Sequence, residues 1–154
     1  MLKAQGPPEL LGLHAAPEQP TTIAPGPGST KTRGDAAEAA AAAHLLRAGL
    51  TLIERNFRTP GRGGGEIDLV MRAPDGTLVF VEVRQRSKAS HGGAGASISS
   101  IKQRRIIFAA RHYLMRFTSL PPCRFDVVLV NGALSDGERP TATIEWLTAA
   151  FDAS

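Results

Sequence analysis

The chain has 154 residues, 42% hydrophobic and 21% charged, which is enough for one domain with its own core and unlike a disordered or fibrous composition. A single cysteine, Cys123, excludes an intrachain disulfide and a cysteine metal cluster. The four histidines, His14, His44, His91 and His112, lack zinc-site spacing. No apolar run approaches the roughly 20 residues of a membrane span, and the N-terminus lacks a hydrophobic h-region, so the expectation is a cytoplasmic protein. The net charge of +4 favours a polyanionic partner, nucleic acid or an anionic membrane surface.

Residues 1–31 read as a disordered tail, because Pro7, Pro8, Pro17, Pro20, Pro25 and Pro27 interrupt any helix. The domain spans 32–154. Its first element is a helix from Thr32 to Gly49, with Asp35 as cap, Glu38 three residues on and an alanine run over 36–43. Glu38 shares a face with Ala41, Ala42 and Leu45, so it projects from the apolar side, either as a site residue or as a complement to the helix dipole. A first strand over Leu52–Arg58 leads to a glycine-rich loop, Thr59–Gly65, which matches no phosphate-binding fingerprint and reads as a flexible connector.

Glu66–Arg72 and Leu78–Arg86 are strands two and three. Alternation places Glu66, Asp68 and Val70 on one face and Ile67, Leu69 and Met71 on the other. Phe80, Glu82, Arg84 and Arg86 share a face of the next strand. Asp68 and Glu82 thus interrupt two otherwise buried runs, where a carboxylate is costly unless a metal, a proton or a base compensates it. The turn decides whether they meet. A three-residue loop, Pro74-Asp75-Gly76, pairs Ala73 with Thr77, sets Val70 opposite Phe80 and brings Asp68 to Glu82, with Cβ atoms about 4.5–5.5 Å apart. A two-residue turn would send the acids to opposite faces.

A polar loop over Ser87–Ser97 precedes a second helix, capped by Ser99 or Ser100 and running to about Phe117. Its apolar stripe is Ile106, Ile107, Ala110, Leu114 and Phe117, with Gln103 extending it at the first turn. Lys102, Arg104, Arg105 and Arg111 cover the rest, as a solvated face or as nucleic-acid-binding residues. A fourth strand covers Arg124–Val130 and a fifth Thr141–Trp146, with Leu147–Phe151 as a terminal helical turn. The order α-β-β-β-α-β-β implies an α/β fold, a central mixed sheet with helices packed on it.

Two carboxylates on neighbouring strands suit Mg²⁺ or Mn²⁺, hard ions that take oxygen ligands. Arg84, two residues after Glu82, is placed to clamp a phosphate but cannot act as a base. The alternative is that Asp68 and Glu82 form internal ion pairs with Arg72, Arg84 or Arg86 and hold no metal.

Glu38, Gly-Glu-Ile-Asp-Leu-Val at 65–70, Phe-Val-Glu-Val-Arg at 80–84, Ile-Lys-Gln-Arg-Arg at 101–105 and Cys-Arg-Phe-Asp-Val-Val at 123–128 resemble the YraN family of uncharacterised bacterial proteins over about residues 32–151. That family is similar to the PD-(D/E)xK nuclease superfamily, with a restriction-endonuclease-like fold like that of Holliday-junction resolvases. The resemblance implies a three-layer fold, metal ligation by Asp68 and Glu82, support from Glu38 and a site-lining role for Gln103. It departs from the superfamily pattern at Arg84, where lysine is expected, and at Ile107, where some relatives carry tyrosine. The resulting expectation is a DNA-binding, nuclease-like protein with Mg²⁺-dependent phosphodiester hydrolysis as its leading activity. Its rivals are a nucleic-acid-binding module without turnover and a protein-interaction adaptor.

Overall fold

A computed structural model describes residues 30–86, 98–132 and 142–153. Of the expected tail (residues 1–31), residues 1–29 lie outside the described residues, as do the polar loop at 87–97 and the segment 133–141; residues 30 and 31 belong to a helix instead. In chain order the elements are α1 (Thr30–Arg47), β1 (Thr51–Arg58), β2 (Glu66–Arg72), β3 (Leu78–Arg86), α2 (Ser100–Leu114), β4 (Cys123–Asn131) and β5 (Thr143–Phe151). The strands form one mixed sheet in the order β1-β2-β3-β4-β5. All neighbours are antiparallel except β3 and β4, which the α2 crossover makes parallel.

The helices cover opposite faces, giving three layers. Ala37, Ala41, Ala42 and Leu45 of α1 pack on Leu69, Met71, Val79, Val81, Val128 and Val130. Ile106, Ala109, Ala110 and Tyr113 of α2 pack on Ile67, Val70, Leu78, Phe80 and Phe125. This α/β arrangement agrees with a restriction-endonuclease-like fold. The alanines of α1 let its backbone lie close to the sheet, whereas α2 inserts Tyr113 edge-on to Phe57 and Phe80, with ring centroids 5.2 and 5.8 Å away. The buried line of α2 is therefore Ile106, Ala109, Ala110 and Tyr113. Ile107, Leu114 and Phe117 only flank it.

α1 starts two residues before the expected Thr32, so Asp35 lies inside it and does not cap it. It stops as glycine requires. Gly49 has φ +100°, its N–H reaches Leu46 O, and the Leu50 N–H reaches Leu45 O, both at 3.1 Å, the paired bonds of a Schellman end. The loop before β2 is closed rather than loose. The Gly65 N–H donates to Thr59 Oγ1 at 2.8 Å, and a Cβ on Gly65 would collide with the Arg105 carbonyl of α2. Glycine here allows α2 to lie directly on the start of β2.

The β2–β3 turn is the three-residue one. Ala73 N–H donates to Thr77 O at 2.9 Å, Gly76 has φ +89°, and Val70 faces Phe80. The alternation expected for β2 breaks at one place. Ile67 joins Val70 in the α2-side cluster, while Leu69 and Met71 face α1. The switch falls at Asp68, where β2 stops pairing regularly with β3 and β1 passes through the left-handed Asn56.

The end of the chain also differs from expectation. Leu147–Phe151 continues β5 and forms no helical turn. Two contacts hold it extended. Phe151 stacks on Phe125, ring centroids 4.9 Å apart, and Asp126 grips the bulge between them. The wholly buried Asp126 carboxylate accepts from Arg124 Nε (3.1 Å), Trp146 Nε1 (2.9 Å) and the Ala149 N–H (2.9 Å). Ala149 stands at φ +49°, a cost of about 1–2 kcal/mol for a non-glycine residue that its bond to Asp126 offsets. Asp126→Ala strands three donors, one of them charged, and is expected to lower unfolding free energy by about 3–5 kcal/mol in a denaturant titration. A loss under 1 kcal/mol would mean that β5 is held by its ring stacking alone.

Candidate functional site

The β2–β3 ladder runs from Arg72↔Leu78 to Leu69↔Val81. One step further, where Asp68 would pair, its side chain replaces the main chain. Asp68 Oδ2 accepts the Val83 N–H at 2.8 Å. The carboxyl is thereby pinned at the point where two strands part, next to Glu82. Glu82 is 7% exposed, lies on the α2 side of β3, and meets Lys102 of α2, with Nζ 3.4 Å from Oε1. Its second oxygen, Oε2, is buried with no hydrogen-bond partner. Such an orphaned acceptor is uncommon and calls for a ligand, a proton or a water.

A proton is the metal-free answer. Burial, then the Asp68 charge, pushes the Glu82 carboxyl up to about 8 against the pull of Lys102. Burial also raises Asp68, opposed first by its bond from Val83. Glu38 joins from the other side of the sheet. Burial raises its carboxyl and Asp68 adds to that, while a hydrogen bond from the Asn56 side chain on β1 works against both. Asn56 sits at φ +52°, in the left-handed region that asparagine tolerates.

The structure thus brings together Glu38, Asp68, Glu82 and Lys102. Arg84 is half-buried on β3 and pairs across to Leu129; it has partners of its own. Gln103 Nε2 donates to the Ile98 carbonyl at 2.9 Å, a bond that ties the first turn of α2 to the segment before it. The basic residues of α2 do not act as one stripe. Lys102 lies one turn before buried Ile106 and leaves the helix on the sheet side. Arg104 and Arg111 lie on the far side, where Arg104 Nε turns back to Ser100 O at 3.3 Å and Arg111 reaches Ala153 O at 3.5 Å. Arg105 is exposed between these two faces.

Two residues of this site had weak signals in the sequence. Lys102 reads as one charge among several; its spacing of four from Ile106 marks it as sheet-facing. Asn56 has the weaker one, a residue type that tolerates the left-handed backbone, since its role comes from a left-handed kink within β1.

The donor set is all carboxylate, which suits a hard divalent ion. Among the described residues no three His, Cys, Asp or Glu side chains are grouped to hold a metal alone. An ion here could take Asp68 and the orphaned Glu82 Oε2 and complete its sphere with water, as Mg²⁺ commonly does. Among the described residues no helix is long and apolar enough to cross a membrane.

The sequence profile described as "Uncharacterised protein family UPF0102" matches residues 37–130, a stretch that contains every residue of the carboxyl cluster. The chain belongs to this family. It is the YraN family that the motifs around Glu38, Asp68, Glu82 and Lys102 resemble. It is 77% identical over 143 residues to a UPF0102 protein of Polaromonas naphthalenivorans (strain CJ2), covering 93% of this chain and 88% of that one. It is 73% identical over 130 residues to a UPF0102 protein of Polaromonas sp. (strain JS666 / ATCC BAA-500), covering 84% and 87%. With a UPF0102 protein of Albidiferax ferrireducens (strain ATCC BAA-621 / DSM 15236 / T118) it shares 66% over 126 residues, covering 82% and 91%.

The raised Glu82 carboxyl has a consequence for stability. The unfolded chain loses this proton near 4.5, whereas the fold keeps it to about 8. Without metal the unfolded state then binds fewer protons across that window, so stability falls as pH rises from 5 to 8. Glu82→Gln, which cannot ionise, is expected to show a shallower fall. Urea denaturation at both pH values, in chelator, reads it; identical slopes in the two proteins would refute the assignment.

Proposed function

We propose that this UPF0102 protein is a nuclease-like protein that binds nucleic acid, DNA first, and hydrolyses phosphodiesters with Mg²⁺ or Mn²⁺, in the cytoplasm. One observation carries the reading: a half-buried and a buried carboxyl group meet on neighbouring strands, the buried one with an oxygen that no N–H of the protein reaches. Structural ion pairs rarely leave such an atom, because an unpartnered buried acceptor costs about 1–3 kcal/mol. Sites that act on anions and metals retain that cost for function.

Asp68 and Glu82 would hold the ion. When bound, the ion would lower the pKa of a water and neutralise charge on the phosphoryl group. The rest falls to the chain's own side chains. The Val83 N–H keeps Asp68 oriented, and Glu38, held by Asn56, would accept a hydrogen bond from a water on the α1 side. Arg84 would contact the scissile phosphate through its planar fork. Gln103, whose amide ties the first turn of α2 to the Ile98 carbonyl, would position substrate. Arg105, and less directly Arg104 and Arg111, would meet flanking backbone phosphates.

The substitution of Arg84 for the superfamily's lysine favours a second reading, a module that binds nucleic acid without turnover. Incubation of the purified protein with branched, single-stranded and duplex DNA and Mn²⁺ separates the two. Cleavage is expected, with Asp68→Ala reducing it by about 100-fold or more, the upper end for loss of even a ligand's hydrogen-bond partner. Salt-sensitive binding with no products, unchanged in Asp68→Ala, would establish the module. No affinity at low salt would leave a protein adaptor.

A further inference from the structure

Lys102 stands apart from the other bases of α2. Its backbone is fixed, because the Ser99 hydroxyl that caps the helix accepts the Lys102 N–H at 3.2 Å. Its side chain departs on the sheet side and places Nζ 3.4 Å from Glu82 Oε1. Its charge acts on both Glu82 and Asp68. The side chain is 46% exposed while Glu82 beneath it is 8% exposed, so the ammonium forms part of the boundary between the carboxyl pair and water. One side of it faces Glu82 and the other faces whatever approaches from solvent.

The two oxygens of Glu82 are used differently. Oε1 is engaged by Lys102, and Oε2 is unpartnered and buried. A lysine that holds Oε1 leaves Oε2 for an ion, and its remaining N–H donors stay available. Lysine suits this task better than arginine. A compact ammonium with three donors can touch a carboxylate and a phosphate oxygen together, whereas a guanidinium fork tends to commit two donors to one partner.

We infer that Lys102 is a phosphate-binding residue of the carboxyl site itself: supplied by α2, it steadies Glu82 through Oε1 and donates to a non-bridging oxygen of a phosphate seated beside Asp68 and Glu82. The inference rests on the phosphodiester reading of the site and deepens it. It removes Lys102 from the group of general backbone contacts and supplies the ammonium from a helix, at a site whose strand position carries Arg84.

The test uses the full chain and two probes, Mn²⁺ and thymidine 5′-monophosphate. Thermal melts titrated with Mn²⁺ report ion binding, and calorimetry in saturating Mn²⁺ reports nucleotide binding. Lys102→Met is expected to keep its Mn²⁺-induced rise in melting temperature while binding the nucleotide about tenfold more weakly, the scale of one charge-assisted hydrogen bond. Lys102→Arg, which keeps the charge and controls for folding, should recover part of that loss. Arg47→Met, which removes one exposed charge from the end of α1, should bind as the wild type does. Nucleotide affinity unchanged in Lys102→Met, with the Mn²⁺ response intact, overturns this inference alone. Loss of the Mn²⁺ response in Lys102→Met also overturns it, because Lys102 would then only hold Glu82 in place. A wild-type protein that ignores Mn²⁺ refutes the metal reading, and the inference with it.

Discussion

Asp68 takes the Val83 N–H with a side-chain oxygen where a regular antiparallel strand would offer a main-chain carbonyl. That exchange ends the β2–β3 ladder and lets the strands part. It also anchors a carboxyl in a place with little water. Everything at the site follows from it. Glu82 is opposed by the neighbouring Asp68 charge, Ile67 falls on the opposite side of the sheet from Leu69, and the regular β2–β3 pairing ends in the middle of the sheet.

The break in strand pairing at Asp68 lies where residues from two separate layers meet. Glu38 comes from α1 and Lys102 from α2, helices on opposite faces, and both act on Asp68. An unbroken sheet about 10 Å from each neighbouring layer would keep them apart. Each helix is positioned by small residues. The alanines of α1 bring Glu38 close to the strands, and Gly65 lets the α2 backbone rest on the start of β2.

Among the described residues two carboxyl groups, Glu82 and Asp126, are deeply buried, and they differ in kind. Asp126 is surrounded by donors from Arg124, Trp146 and Ala149, and it holds β5 against β4. Glu82 has one cation on one oxygen and no N–H on the other, and its neighbour is a second carboxyl group, Asp68, to which it can hydrogen-bond only by sharing a proton. Burial alone would rank Asp126 first. Satisfaction of the lone pairs separates a structural acid from one that awaits a ligand.

Local rules determined much of this from the amino-acid order. Strands β2 and β3 were legible from their apolar runs, and Pro74-Asp75-Gly76 set their register, because only a glycine readily takes the left-handed third position of that turn. The meeting of Asp68 with Glu82 follows from that register. Ser99 as the cap of α2 and Gly49 as the stop of α1 are equally local. Three things were decided only by packing between elements. Residues 147–151 are extended because Phe125 and Asp126, some 25 positions away, hold them. Ile67 leaves its alternating face at the point where Asp68 bonds to Val83 and the facing strand turns left-handed at Asn56. Lys102, among several basic neighbours, becomes the one that reaches Glu82 because the crossover sets the rotation of α2 over the sheet. A periodic pattern states which residues share a face; it carries no information about which partner that face meets.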